Sequence, residues 1–128
     1  MDLLLDTRVF LWWDRRDPQL GPTAQAAIAD PRNRVFVSAA SVWEIAIKSG
    51  KGKLAFSGSP SAAVGANDFL VLPMGSDHAA QAGRLAWEPP DPFDRMLVAQ
   101  AQLQNMTLVH ADRIIAGFKP VGQLWARA

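Results

Sequence analysis

Two rhythms of apolar and polar positions alternate along the chain. Short apolar runs are separated by longer stretches with helical spacing. Leu3-Leu4-Leu5 closes on Asp6 and reads as a buried strand. Thr7 to Trp13 reads as a helix ended by the polar Asp14-Arg15-Arg16-Asp17-Pro18. Gly21-Pro22 opens a second helix, with proline near its first position, running to Asp30. Asp30-Pro31-Arg32-Asn33 is a turn, and Val35-Phe36-Val37 is a β-branched and aromatic strand. Ser38 or Ser41 then caps a helix that runs to about Lys48 and stops at Ser49-Gly50-Lys51-Gly52. Weaker patterns follow: a short helix over Ser61 to Asn67, a strand over Phe69 to Leu72, and a helix over Ser76 to Arg84. A strongly apolar helix runs from Pro92 to about Gln104, then a strand over Thr107 to Val109 and a short helix after Asp112. Val121 to Trp125 suits an edge strand. Strands separated by helices predict an α/β fold, a mostly parallel sheet with helices on both faces.

Four acids break these apolar segments. Asp6 ends LLLD, Glu44 is the only charge in VFVSAASVWEIAI, Asp94 lies in DPFDRMLVAQA, and Asp112 ends TLVHAD. An acid in such company is costly unless it is paired, hydrogen-bonded or bound to metal. Asp6 and Asp112 directly follow predicted strands, and ligand sites of open α/β sheets gather beyond the carboxyl ends of the strands. Glu44 lies about two turns into the helix after Val35–Val37. Asp94 precedes Leu97 and Val98 by three and four residues, so it shares their sheet-facing side.

Each acid also has a plainer explanation. Asp6 and Asp112 suit helix N-caps. Glu44 stands four residues before Lys48, although few polar residues flank it to make an exposed face. Asp91, followed by Pro92, is best explained as an N-cap. Four inward-tending acids at one sheet end are harder to explain as independent caps. Such a cluster of oxygens suits Mg²⁺ or Mn²⁺, which prefer oxygen ligands. Beside a phosphodiester, such an ion polarises the phosphoryl oxygen, activates a water and steadies the leaving oxygen. That chemistry alone does not separate a nuclease from a phosphatase.

Composition narrows the choice. The 128 residues make one domain, 1–128, able to bury its own core. The absence of cysteine excludes disulfides and thiolate metal sites, and two histidines argue against a histidine-rich zinc site. No apolar run approaches the roughly 18–20 residues that span a bilayer, and the acidic MDLLLDTR does not resemble a signal peptide. A soluble, cytoplasmic protein is expected. The net charge is only +1, so a nucleic-acid role must come from a local site.

LLLDT, VFVSAASVWEIAIK, DPFDRMLVAQAQ and TLVHAD, in this order and spacing, closely resemble the PIN-domain proteins. The likeness is greatest to the VapC-type toxins of bacterial toxin–antitoxin pairs and extends to the terminal QLW. The resemblance implies a three-layer α/β/α fold and a metal-dependent endoribonuclease using Mg²⁺ or Mn²⁺. Asp6, Glu44, Asp94 and Asp112 match the acidic quartet of the family, as catalytic groups and metal ligands. Asp91 matches the first acid of the DPFDR signature, a cap or supporting group. Such toxins usually dimerise and are held inactive by a small antitoxin, which commonly binds operator DNA.

Two positions depart from the pattern. Relatives commonly carry His where Arg8 stands and Thr where His110 stands. Both flank presumed ligands: Arg8 suits a substrate phosphate, and His110 suits orienting a carboxylate or adding a pH-dependent charge. Arg95 lies about 100° around the helix from Asp94, within reach of a neighbouring carboxylate or a substrate phosphate. Lys48, Lys51 and Lys53 form a basic loop, either simply solvated or touching RNA backbone. Phe10, Trp12 and Trp13 cover the sheet or meet an antitoxin or second protomer.

Other classes fit less well. A phosphatase with an aspartyl nucleophile needs a second Asp two residues after the first, and Asp6 is followed by Thr7-Arg8. A receiver-like phospho-acceptor needs paired acids after the first strand and a lysine at a late strand end. A catalytically latent binding or regulatory module remains the alternative, which only an activity assay separates.

Overall fold

Leu3, Leu4 and Leu5 have no solvent exposure, so the first strand must be covered on both faces. The computed structural model describes residues 1–87 and 91–128. In it β1 (Asp2–Leu5) is the middle of five strands. The others are β2 (Arg34–Ser38), β3 (Leu70–Leu72), β4 (Thr107–His110) and β5 (Gln123–Trp125), in the order β3-β2-β1-β4-β5. All four pairings are parallel, and the register sets Leu3 beside Val35 and Thr107.

The period-two alternation of strand residues sorts them into two cores. Leu3, Leu5, Val35, Val37 and Val109 pack with Val9 and Phe10 of α1 (Thr7–Arg15), Ile28 of α2 (Pro22–Ala29), Ile45 of α3 (Ala39–Gly50) and Val64 of α4 (Pro60–Ala66). Leu4, Phe36 and Leu108 point the other way. They meet Leu97 and Val98 of α6 (Pro92–Leu103) and Ile115 of α7 (Arg113–Ala116), while α5 (Ser76–Arg84) lies against α6. The expected three-layer α/β/α arrangement is therefore present, with an entirely parallel sheet among the described residues.

Helix starts follow local chemistry. Ser38, rather than Ser41, caps α3 by accepting the Ala40 N–H, and Ser59 caps α4 through the Ala62 N–H. Trp12 and Trp13 divide as adjacent helix positions must. Trp12 is buried, whereas half-buried Trp13 packs against Phe69 with ring centroids 5.9 Å apart. No helix among the described residues is long and apolar enough to cross a membrane.

The topology creates one crevice. After β1 the chain crosses to β2 on one side, and β4 later fills the other side. The helices that follow these strands diverge beyond the carboxyl ends of β1 and β4, where ligands gather in such sheets.

Candidate active site

Asp6 and Asp112 leave neighbouring strands. The Asp6 N–H donates to the Val109 carbonyl at 3.0 Å, which extends the β1–β4 ladder by one residue. Its side chain then caps α1, Oδ1 accepting the Val9 N–H at 2.8 Å. Asp112 caps α7 in the same way, Oδ1 accepting from Ile114 and Ile115 at 2.8 and 3.3 Å. Asp91 caps α6 through the N–H groups of Phe93 and Asp94. Asp94 stands in the first turn of α6, in the layer opposite Glu44 on α3.

Asp6, Glu44, Asp91, Asp94 and Asp112 line one cavity of about 380 Å³, with Thr7, Arg8, Lys48, Lys53 and Leu54 in its walls. Capping and site-lining therefore coincide. A cap uses one carboxylate oxygen, and among the described residues no donor reaches Oδ2 of Asp6, Asp91 or Asp112. Asp91, read from the sequence as a cap, joins the wall as well.

The charge is concentrated. Burial above all pushes the Asp6 carboxyl from 3.8 up to about 7, with Glu44 and Asp112 adding repulsion against the pull of the Val9 N–H and Arg8. Asp94 is likewise pushed to about 7, by burial first and then by Asp91, Asp112, Asp6 and Glu44. Asp94 thus feels the other four acids, and Asp6 feels Glu44 and Asp112.

Glu44 is held from both sides. Its Oε1 accepts the Thr7 hydroxyl at 2.6 Å, and Thr7 Oγ1 shares a second hydrogen bond with Ser41 Oγ at 2.8 Å. Its Oε2 pairs with Lys48 Nζ at 2.5 Å. The Lys48 pairing discounted from the sequence does form, because Glu44 lies at the cavity wall where the lysine stem can follow it. Sequence reasoning also missed Thr7 and Ser41. The available signal was a hydroxyl directly after Asp6 and another three residues before Glu44, on the same helix face.

The other candidate side chains are placed as follows. Among the described residues, the Arg95 guanidinium reaches neither a carboxylate nor the cavity. It donates to the carbonyls of Ala82 (3.0 and 2.8 Å), Leu85 (3.0 Å) and Trp87 (2.5 Å), fastening the end of α5 to α6. Lys48 and Lys53 stand at the cavity, but Lys51 does not line it. Arg8 is exposed on the rim, its guanidinium 5.9 Å from the centre of the Trp12 ring.

The surroundings of His110 disfavour a charged ring and fit the orienting role better than the pH-dependent one. The ring is 1% exposed, and its Nδ1 accepts the Asp112 N–H at 3.1 Å. Nε2 then carries the proton and donates to Gln123 Oε1 at 2.8 Å. Burial holds the ring below its usual 6.5, despite the opposing pull of Gln123 and Asp112. It orients the backbone of residue 112 as a neutral group. His110→Thr is therefore expected to leave the shape of a pH–rate profile unchanged above pH 6.5 at saturating metal. A lost inflection in that range, measured by initial rates, would contradict a neutral ring.

Among the described residues, no three acidic or histidine side chains are already gathered in a geometry that holds an ion directly. The donor set is nonetheless all oxygen and strongly anionic, and the free carboxylate oxygens border a cavity wide enough for a hydrated ion. That fits a hard cation which keeps several of its waters.

A family model described as "PIN domain" matches residues 3–119. Among curated proteins, none matches the chain. Several solved structures share the fold. VapBC2 from Rickettsia felis, bound to a DNA fragment from its promoter, superposes with a TM-score of 0.72 at 13% identity, covering 98% of this chain and 99% of that one. VapBC-1 from nontypeable Haemophilus influenzae gives 0.69 at 17% identity, with 97% of each chain covered. DNA-bound VapBC from Salmonella typhimurium gives 0.68 at 15% identity, again with 97% of each covered.

Proposed function

The chain belongs to the PIN-domain family, and from that membership and its acid-lined cavity we propose that it is a VapC-type toxin, an endoribonuclease dependent on Mg²⁺ or Mn²⁺. The observation that carries this reading is the convergence of five carboxylates on one cavity, two of them held near 7 by burial and mutual repulsion. A fold does not gather such groups cheaply unless a cation relieves them.

Asp6, Glu44, Asp94 and Asp112 are the groups that would hold the metal, with Asp91 at the margin. A bound divalent ion supplies charge to the phosphoryl oxygen, acidifies a water and supports the leaving oxygen. The chain's own residues prepare that site. Thr7 fixes the rotamer of Glu44, and His110 fixes residue 112. Lys48 neutralises Glu44 in the metal-free protein and must yield its oxygen when an ion enters. Arg8 and Lys53, on the rim, suit the phosphates on either side of the scissile bond.

The solved complexes with similar folds include toxin–antitoxin complexes, several of them bound to DNA. They support a small antitoxin as the partner of this chain, with operator DNA bound through that antitoxin; a homodimeric toxin and a cytoplasmic location are proposed alongside, on the family resemblance alone. Purified protein is expected to cleave RNA, to lose activity completely in EDTA and to regain it with Mg²⁺ or Mn²⁺. Cleavage that persists in EDTA excludes the metal-dependent reading. A folded protein that cuts no RNA with either ion favours the latent binding module instead.

A further inference from the structure

A second cavity, of about 550 Å³, opens beside the acidic one and shares Arg8 and Asp112 with it. Its other walls carry Arg113, Ile114, Trp125 and Arg127. All three arginines are exposed, and among the described residues none has a carboxylate partner. Arg32 and Arg34, at the opposite end of the sheet, each sit on an aspartate. Arg8 and Arg127 both lie over the Trp12 ring, at 5.9 and 5.2 Å from its centre, so one indole anchors two of the cations. Trp125 is 39% exposed and is fixed edge-to-face on buried His110, with ring centroids 5.9 Å apart. Ile114 beside it is 60% exposed.

Arg127 donates to Gln19 Oε1 at 3.1 Å, which leaves its charge uncompensated. Three guanidiniums without a carboxylate partner among the described residues, around a fixed aromatic ring, are the elements that hold a single nucleic-acid strand: cations for phosphates and a flat face for a base. In a chain whose net charge is only +1, their gathering here is local rather than general. We propose that this second cavity continues the track of the RNA substrate, which crosses the acidic centre and runs on over Arg8. Arg113 and Arg127 grip its phosphates, and Trp125 stacks with one base. Lys48 and Lys53 occupy the wall of the acidic cavity on α3 and the loop after it, so cations flank the acids on both sides. This inference rests on the nuclease reading above and adds the course of the strand beyond the acidic centre.

The test is binding of a short single-stranded RNA to the full chain, followed by fluorescence anisotropy over a range of salt, with EDTA present to keep the strand intact. Arg113→Gln and Arg127→Gln are each expected to weaken binding and to lower the slope of log affinity against log salt by about 0.7. Trp125→Ala is expected to weaken binding roughly fivefold or more with the slope unchanged. Arg32→Gln, which removes the same charge elsewhere, is the control and is expected to change neither. Because the arginines are exposed, their variants are expected to melt like the unmodified chain.

Two outcomes overturn the track. One is no measurable RNA binding by the unmodified chain at low salt. The other is affinity indifferent to both Arg113 and Arg127, which leaves the cavity to a protein partner. Cleavage assayed in parallel separates the two readings. Metal-dependent cleavage with indifferent arginines removes only the track, whereas arginine-dependent binding without any cleavage removes only the nuclease.

Discussion

Asp6→Asn is expected to abolish RNA cleavage and, in the same protein, to raise stability above neutral pH in the absence of metal. The two effects share one cause. The Asp6 carboxyl is buried at the sheet end and held at about 7 instead of 3.8, so keeping it charged costs folding energy. That shift corresponds to about 4 kcal/mol as an upper figure, and part of it returns through coupling to the neighbouring acids. The asparagine retains the cap, because its side-chain oxygen can still accept the Val9 N–H, and Asn and Asp cap helices about equally well. It loses the negative charge that a metal requires. Metal-dependent cleavage should fall at least about a hundredfold, since several kcal/mol of transition-state stabilisation depend on the ion. Thermal melts in EDTA at pH 8 should show the variant higher by about 5–10 °C. At pH 4, where both side chains are neutral in the fold, the difference should largely vanish. Retained cleavage would remove Asp6 from the site, and an equal melting temperature at pH 8 would remove the buried-charge explanation.

The unmodified chain, stripped of metal, should lose stability as pH rises from about 4 to 7. Asp6 and Asp94 have folded-state values near 7 and unfolded values near 3.8. Between these, the native state binds more protons than the unfolded chain, so stability falls with rising pH and levels off once both states are deprotonated. Asp2 and Asp30 act in the opposite direction, because their hydrogen-bonded arginines lower their values. Their window lies below about pH 4, so the two effects separate. Mg²⁺ should restore what is lost. At a hundred times its dissociation constant it contributes about 2.7 kcal/mol at pH 8, and much less at pH 5 where protons compete for the carboxylates. Scanning calorimetry with and without Mg²⁺ at the two pH values reads this directly. Equal metal stabilisation at pH 5 and pH 8 would show that the ion binds elsewhere.

The strand and helix sequence was legible because its signals are local. Leu3–Leu5 and Val35–Val37 are apolar runs closed by polar residues, and Pro22 and Pro92 mark helix starts. The four acids were visible for the same reason: each interrupts an apolar segment. What stayed hidden depends on where distant segments come to rest. Arg95 could not be placed without knowing that α5 ends beside it and offers three residues' carbonyls. His110 became a neutral structural group only when β5 brought Gln123 and Trp125 against it. The convergence of Arg8, Arg113 and Arg127 likewise requires the terminal strand to lie beside β4. The Glu44–Lys48 pair was within reach of the sequence. It was discounted because an exposed face was assumed, whereas a cavity wall serves as well.

Asp6, Asp91 and Asp112 each begin a helix with one oxygen and border the cavity without committing the other. Under the proposed metal site, folding and chemistry meet in the same side chains but depend on different atoms of them. Exchanging a single oxygen for an amide nitrogen is then expected to remove the metal-holding role and to spare the cap. A lineage of such chains can lose its enzyme by one step at any of several positions and keep the architecture intact, free to be retained for what its surface still binds.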